Sequence, residues 1–260
     1  MNTITAGLLS WLLLPVAAVY ALGIRRTAPR LPPPRGPQRG RIGATEPVWR
    51  LLVMGDSSSA GVGAERVEDT LAPQLAHLIH ATTGDAVSWR GAGANSAKAA
   101  DIRDHVLPNI EERDFTHIVL TVGTNDMKNY LTARQFKKGF GGLLYTIHAR
   151  WPDARVIWSP VLDMMDVPLL PGPLARILNM RVKVINTMGE RLCRERQAIA
   201  APPLPVPSGE GFASDGFHAN AAGYRHWAEH LLPFLTDGSA RQASLQQSGQ
   251  PRFSTRLRGV

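Results

Sequence analysis

Short apolar runs, LLVM at 51–54, HIVLTV at 117–122 and ARVIW at 154–158, alternate along the chain with longer stretches of helical period. Each run is too short to be a core helix, and its apolar residues are nearly continuous, so it reads as a strand buried on both faces. Strands are predicted over residues 48–54, 86–90, 117–122 and 154–158, and helices over 70–81, 97–106, 133–150, 174–196 and 219–235. A chain that alternates in this way forms a mostly parallel sheet with helices on both faces. In such α/β sheets the functional loops lie beyond the carboxyl ends of the strands. Those loops are LLVMGDSSSAG, WRGAGANSAK, VGTNDM and WSPVLDM.

The ends of the chain read differently. Residues 4–24, ITAGLLSWLLLPVAAVYALGI, are uncharged and about as long as the roughly 20 residues that cross a bilayer as one helix. A membrane anchor over 1–26 is expected, with a cleavable signal segment as the rival, since Val19-Tyr20-Ala21 offers small residues near a cleavage point but no Lys or Arg precedes the run. Arg25, Arg26, Arg30 and Arg35 follow it, which by the positive-inside tendency puts the domain on the cytoplasmic side; signal cleavage would export it. Residues 27–47, rich in Pro, Gly and Arg, read as a linker without regular structure, 48–236 as one folded domain, and 237–260 as a disordered tail.

The formal charge of +8 is spread toward the termini and does not form a basic run interleaved with aromatics, so no nucleic-acid partner is expected. A single cysteine, Cys193, excludes a disulfide framework and a CxxC metal pair. No metal or organic cofactor is called for, and oligomeric state is not legible.

Three loops carry chemistry. GDSSSAG lacks the GK[ST] of a P-loop and is not GxSxG, so on its own it suits either a phosphate-binding turn or a nucleophile loop. In SDGFH, Asp215 and His218 are three residues apart, close enough for the carboxylate to fix the imidazole tautomer while the other nitrogen takes a proton; an isolated DxxH more often only organises the turn before a helix. In GTND, Asn125 can donate a side-chain amide to developing oxyanion charge, although Asn and Asp are also favoured in plain turns.

Taken together, GDS after the first strand, a Gly/Asn/Ser-rich loop after the second, GTND after the third and DGFH before the last helix resemble, in order and spacing, the SGNH hydrolases, also called GDSL-type lipases and esterases. The resemblance spans about 48–235. It implies a flavodoxin-like three-layer α/β/α sandwich and hydrolysis of acyl esters, with Ser57 as nucleophile, His218 as general base, Asp215 as its orienting partner, and an oxyanion hole from Ser57, Asn125 and a residue of the second loop. Two departures stand out: Ser58 replaces the family's leucine after the serine, and the family's second-loop glycine falls in register on Ser96, five residues before Asp101, with Gly93 as the alternative donor. Lysophospholipids, thioesters and acetylated sugars are substrate classes the resemblance admits. Acyl transfer through the same residues, or a non-catalytic flavodoxin-like ligand-binding module, are the competing functions. The apolar loop at 158–171 is expected to line an acyl site or to pack on the core, and Asp56 and Asp126 to tie loops together.

Overall fold

The computed structural model describes residues 2–206 and 210–237, so the expectation of a disordered tail falls almost wholly outside the described residues. Six strands form one sheet: β1 (Arg39–Ile42), β2 (Trp49–Gly55), β3 (Val87–Gly93), β4 (His117–Thr121), β5 (Arg155–Trp158) and β6 (Ile199–Ala200), in the order β1-β3-β2-β4-β5-β6. All neighbours are parallel except β1, which runs antiparallel to β3. The helices are α1 (Thr3–Leu12), α2 (Leu14–Thr27), α3 (Leu71–Thr83), the single turn α4 (Ala99–Asp101), α5 (Thr124–Lys128), α6 (Ala133–Arg150), α7 (Gly172–Glu195) and α8 (Ala221–Thr236).

Strand periodicity assigns the layers. Leu52 and Met54 of β2, Ile118 and Leu120 of β4, and Val156 and Trp158 of β5 share a core with residues of α6 and α7. Their neighbours Leu51, Val53, Val119 and Ile157 point the other way and pack with α3 and α8. Because side chains alternate across a strand, a run such as LLVM buries both faces, and each fully buried aliphatic side chain contributes roughly 1.5–3 kcal/mol. This is the flavodoxin-like three-layer sandwich, with β1 added at one edge. From β2 the chain goes to β3 on one side, whereas β4 lies on the other, so the loops leaving β2 and β4 diverge and open a crevice at their carboxyl ends.

The structure corrects the expectation of one membrane-crossing helix. Residues 3–27 form two helices bent by 65°. Pro15, in the first turn of α2, has no N–H to continue α1. At 1.5 Å per residue the two are about 15 and 21 Å long, short of the roughly 30 Å of bilayer hydrocarbon, and among the described residues no single helix is long and apolar enough to cross a membrane; there, only the bent pair together matches a span in length and composition. Ala6 and Ser10 of α1 are fully buried, and Ala17 of α2 joins the core on the α6–α7 side.

Residues 27–47, expected to lack regular structure, supply β1, whose Gly40 lies against the Trp89 indole so closely that a Cβ would sit 2.7 Å from the ring. Three of its four residues are exposed, so this edge strand carries no apolar signature. The helix expected over 97–106 is only α4, followed by a π turn at Ile102–Val106 and a 3-10 turn at Leu107–Asn109. The helix predicted at 133–150 matches α6, whose capping box joins Thr132 and Gln135.

Candidate active site

The first loop begins at Gly55, where β2 lies close against β4. A Cβ on Gly55 would lie 2.3 Å from the Thr121 carbonyl oxygen, so only glycine lets β2 end there. The Asp56 N–H donates to that same carbonyl at 3.1 Å, and the chain then turns, with Ala60 N–H donating to the Asp56 carbonyl at 3.1 Å and Val62 N–H to that of Ser57 at 3.0 Å. Ser57 stands at the start of this turn, nearly buried at 7% exposure. The far end of the loop is fastened to the last helix: Tyr224 of α8 donates its hydroxyl to the Val62 carbonyl at 2.8 Å. Gly63, with φ of +99°, lies so close to the His218 segment that a Cβ would meet the Ala219 carbonyl at 2.3 Å.

The His218 segment is a short reversal before α8. Phe212 and Ala219 bridge, Ala213 N–H donates to the His218 carbonyl at 2.7 Å, and Asn220 caps the helix by accepting from Gly223 N–H at 3.0 Å. Asp215 is 5% exposed and uses both carboxylate oxygens: one accepts from the backbone N–H of Phe217 and His218 at 2.9 and 3.0 Å, the other faces His218 Nδ1 at 2.5 Å. Burial by itself raises the Asp215 carboxyl, but these hydrogen bonds prevail and hold it below the usual carboxylate value. On the other side of the ring, His218 Nε2 lies 3.0 Å from Ser57 Oγ. A hydroxyl so placed can pass its proton to the imidazole as it attacks, while the carboxylate stabilises the resulting cation.

Asn125, near the start of α5, is 3% exposed beside this chain of groups. Its amide nitrogen donates to the Asp56 carboxylate at 3.2 Å and to the Ala97 carbonyl at 3.1 Å, so it joins the first loop to the second. Asp56 also accepts from Ser58 N–H at 3.0 Å, and burial raises its carboxyl. Asp126, fully buried, accepts from Ala99 N–H at 3.1 Å and is pushed up to about 6 by burial. Both acids thus tie loops.

The second loop is looser. Ser96 is exposed and has φ of +63°, a left-handed conformation that a side chain disfavours. Among the described residues, neither its N–H nor that of Ser57 donates to a protein acceptor. Gly93 lies under the first loop, where a Cβ would fall 2.1 Å from Ala60 N and 2.6 Å from the Asp56 carbonyl oxygen.

Ser57, Asn125 and His218 open on a cavity of about 220 Å³. The loop after β5 contributes Ser159, Pro160, Val161, Leu162, Met164 and Val167 to its wall, and Val161, Met164 and Val167 also pack in the core, so this loop both lines the cavity and packs on the core. Ser96 and Gly93 are not among its lining residues, and Asp215 stands behind His218. Sequence reasoning passed over Leu204, Phe212, Phe217 and Trp227, which complete the apolar wall, and Lys128, whose ammonium sits 4.7 Å above the Phe217 ring. Phe217 was within the DGFH motif and Lys128 two residues beyond GTND, so proximity to the motifs was the available signal for these two; Leu204 and Trp227 carried none. Cys193 is buried in α7, away from this cavity, and its thiol is pushed up to about 12 by burial.

The model of the GDSL-like Lipase/Acylhydrolase family matches residues 53–226. No curated protein sequence matches the chain. Among solved structures, TesA is similar with a TM-score of 0.58 at 18% identity, covering 72% of this chain and 98% of its own. The lipase Lip_vut3 from a goat rumen metagenome gives 0.58 at 16% identity, with coverage of 72% and 97%. A lipase/acylhydrolase from Enterococcus faecalis gives 0.53 at 19%, with coverage of 71% and 94%. At such identities the structural likeness speaks for the fold, and the match to the family model, over more than half of the sequence, carries the assignment: the chain belongs to the GDSL-like lipase/acylhydrolase family.

Proposed function

We propose that the protein is a serine ester hydrolase in which Ser57 attacks the acyl carbonyl, His218 accepts the Ser57 proton, and Asp215 holds the imidazole and stabilises its cation. The observation that carries this reading is the continuous hydrogen-bonded chain from Ser57 Oγ through His218 to the buried Asp215, 3.0 and 2.5 Å long at its two links, at the end of an apolar cavity. The tetrahedral oxyanion is held by the backbone N–H groups of Ser57 and Ser96 and by the Asn125 amide, which shifts one hydrogen from Asp56 or Ala97 as charge develops. His218 then returns the proton to the leaving alkoxide, and a water activated by the same ring releases the acyl group and regenerates Ser57. The apolar wall supports an acyl chain as the part of the substrate that is bound.

The test is labelling with a fluorophosphonate probe followed by hydrolysis of p-nitrophenyl esters of increasing chain length. Labelling and turnover in the native chain, with both lost in Ser57→Ala at an unchanged thermal midpoint, are expected. Undiminished labelling or turnover in Ser57→Ala would remove the nucleophile assignment, and a chain that neither labels nor turns over would favour a ligand-binding module.

A further inference from the structure

The helix pair α1–α2 has two chemically distinct faces. Toward the domain, α1 turns Ala6 and Ser10, both fully buried, and its Gly7 lies where a Cβ would be 3.6 Å from Val184 of α7. The next helix continues that face with Ala17, Tyr20 and Ile24, all packed on the core. Away from the domain, Ile4, Leu8 and Leu12 recur every four residues at 76%, 69% and 76% exposure, and Val16, Val19 and Leu22 every three at 45%, 71% and 56%. Large aliphatic side chains in a row along each helix, set opposite packed residues, are a surface built to be covered.

What covers it is indicated by charge and by docking. Before Glu46 the chain holds six arginines, no lysine and no acidic residue. Arg25 and Arg26 close α2, and with Arg30 and Arg35 they are exposed and make no ion pair among the described residues. A protein partner or a second copy of this chain would have to supply both an apolar groove and an acidic rim. A bilayer with anionic headgroups supplies the two together, at the depth where an amphipathic helix lies.

The pair is also fastened to the domain along both helices, through Ser10 and Trp11 of α1 and Ala17, Tyr20 and Ile24 of α2. Arg181 of α7, 1% exposed, reaches Ser10 Oγ at 3.4 Å and donates to the Leu131 carbonyl, and its guanidinium is covered by the Trp11 ring at 5.8 Å and the Tyr130 ring at 5.3 Å. Straightening the pair into a span would uncover this cation, which no carboxylate neutralises among the described residues.

We propose that α1 and α2 form an in-plane docking surface for an anionic bilayer, with Ile4, Leu8, Leu12, Val16, Val19 and Leu22 entering the acyl boundary and Arg25, Arg26, Arg30 and Arg35 meeting the headgroups. The surface does not depend on the esterase assignment, and its test reads no catalysis. The full chain is added to preformed vesicles of phosphatidylcholine alone or with one third phosphatidylglycerol, and sedimentation is measured at low and high salt. Binding to the phosphatidylglycerol vesicles that weakens with salt is expected. Leu8→Glu with Val19→Glu should lower affinity at least tenfold with the thermal midpoint unchanged, since both side chains are exposed. Arg25→Gln with Arg26→Gln should lower it by about fivefold per arginine on the anionic vesicles only. Equal sedimentation of native chain and Glu variant, a stable dimer in solution broken by the Glu variant, loss of residues through Thr27 from the mature protein, or a native chain that resists salt and alkaline extraction from cell membranes would each overturn the proposal.

Discussion

The first and second loops leave adjacent strands, β2 and β3, and approach the same candidate site, yet they are held by different means. The Ser57 loop is fastened at both ends: the Asp56 N–H continues the contact with β4, Tyr224 grips the Val62 carbonyl, and Gly63 is pressed on Ala219. The second loop is exposed at its tip, Asn95 and Ser96, turns there through a left-handed serine, and is held only on either side of that tip, by Ala94 N–H on the Gly55 carbonyl before it and by Asn125 on the Ala97 carbonyl and Ala99 N–H on Asp126 after it. Groups that must exchange a proton need their atoms within a few tenths of an ångström, whereas a backbone donor needs only a chain path that points its N–H inward. One side therefore tolerates almost no substitution, and the other should tolerate a change that preserves the path.

The largest effect should come from the fastened side. Ser57→Ala and His218→Ala are each expected to lower kcat by about 10⁴–10⁶, with little change in the thermal midpoint, because the groups act as one unit. A residual rate within tenfold of native in either variant would mean that the two sides do not differ in the way argued. Asn125→Ala comes next, with kcat expected to fall by about 10²–10³. Asn125 also bridges the loops through Asp56 and Ala97, so this variant should lower the unfolding free energy by about 1–3 kcal/mol as well. A loss of stability with kcat unchanged would make Asn125 a tie alone.

Gly93→Ala probes the seam between the loops. An added methyl would run into Ala60 N and the Asp56 carbonyl, so the first loop must move, and about 1–3 kcal/mol of stability should go together with activity. An inactive Gly93→Ala with an unchanged urea midpoint would instead make Gly93 the oxyanion donor and Ser96 dispensable.

The sequence made the fastened side legible because its information is local. Asp215 and His218 are three residues apart, GDS follows an apolar strand, and GTND follows another, so although each motif alone also reads as a turn, their order along the alternating strands and helices singles out the residues and their place in the sheet. What tied them together was not legible: Tyr224, Gly63 and the Ala97 carbonyl act across the fold, and nothing near them in the chain points to their partners. The edge strand β1 was hidden for a different reason. RGRI is polar because it faces solvent, and its glycine is required by the Trp89 indole of another strand. The broken N-terminal helix had a local signal in Pro15, but hydropathy summed over residues 4–24 does not register a missing N–H.

The buried acids give a smaller effect that appears only with pH. The Asp126 carboxyl is raised from 3.8 to about 6 by burial, so between those values the folded chain keeps a proton that the unfolded chain has released. Its contribution to stability is complete below about 4 and is lost as pH rises to about 6 and beyond. Asp126→Asn does not titrate, so its stability relative to the native chain should rise by roughly 2 kcal/mol from pH 4 to pH 7, read from urea midpoints. Taking the difference isolates Asp126 from Asp215, whose lowered carboxyl acts in the opposite direction. A flat difference would mean that the Ala99 N–H keeps Asp126 ionised throughout.

The smallest effect is expected where the comparison is sharpest. Ser96 takes a conformation with φ of +63° that glycine adopts without a Cβ penalty, and its hydroxyl makes no hydrogen bond among the described residues. If the loop contributes through its backbone N–H, Ser96→Gly leaves that donor in place, so activity should stay within about tenfold, a barrier change of at most roughly 1.4 kcal/mol. Relief of the left-handed strain, on the order of 1 kcal/mol, is opposed by the greater freedom of glycine in the unfolded chain, so the thermal midpoint should move by only a few degrees. Ser96→Pro provides the contrast, because proline removes the N–H and forbids positive φ. If it matches the kcat loss of Asn125→Ala while Ser96→Gly remains active, the second loop acts through its path and its amide. If Ser96→Gly is as inactive as Ser57→Ala, the serine side chain itself takes part, and the two loops are alike after all.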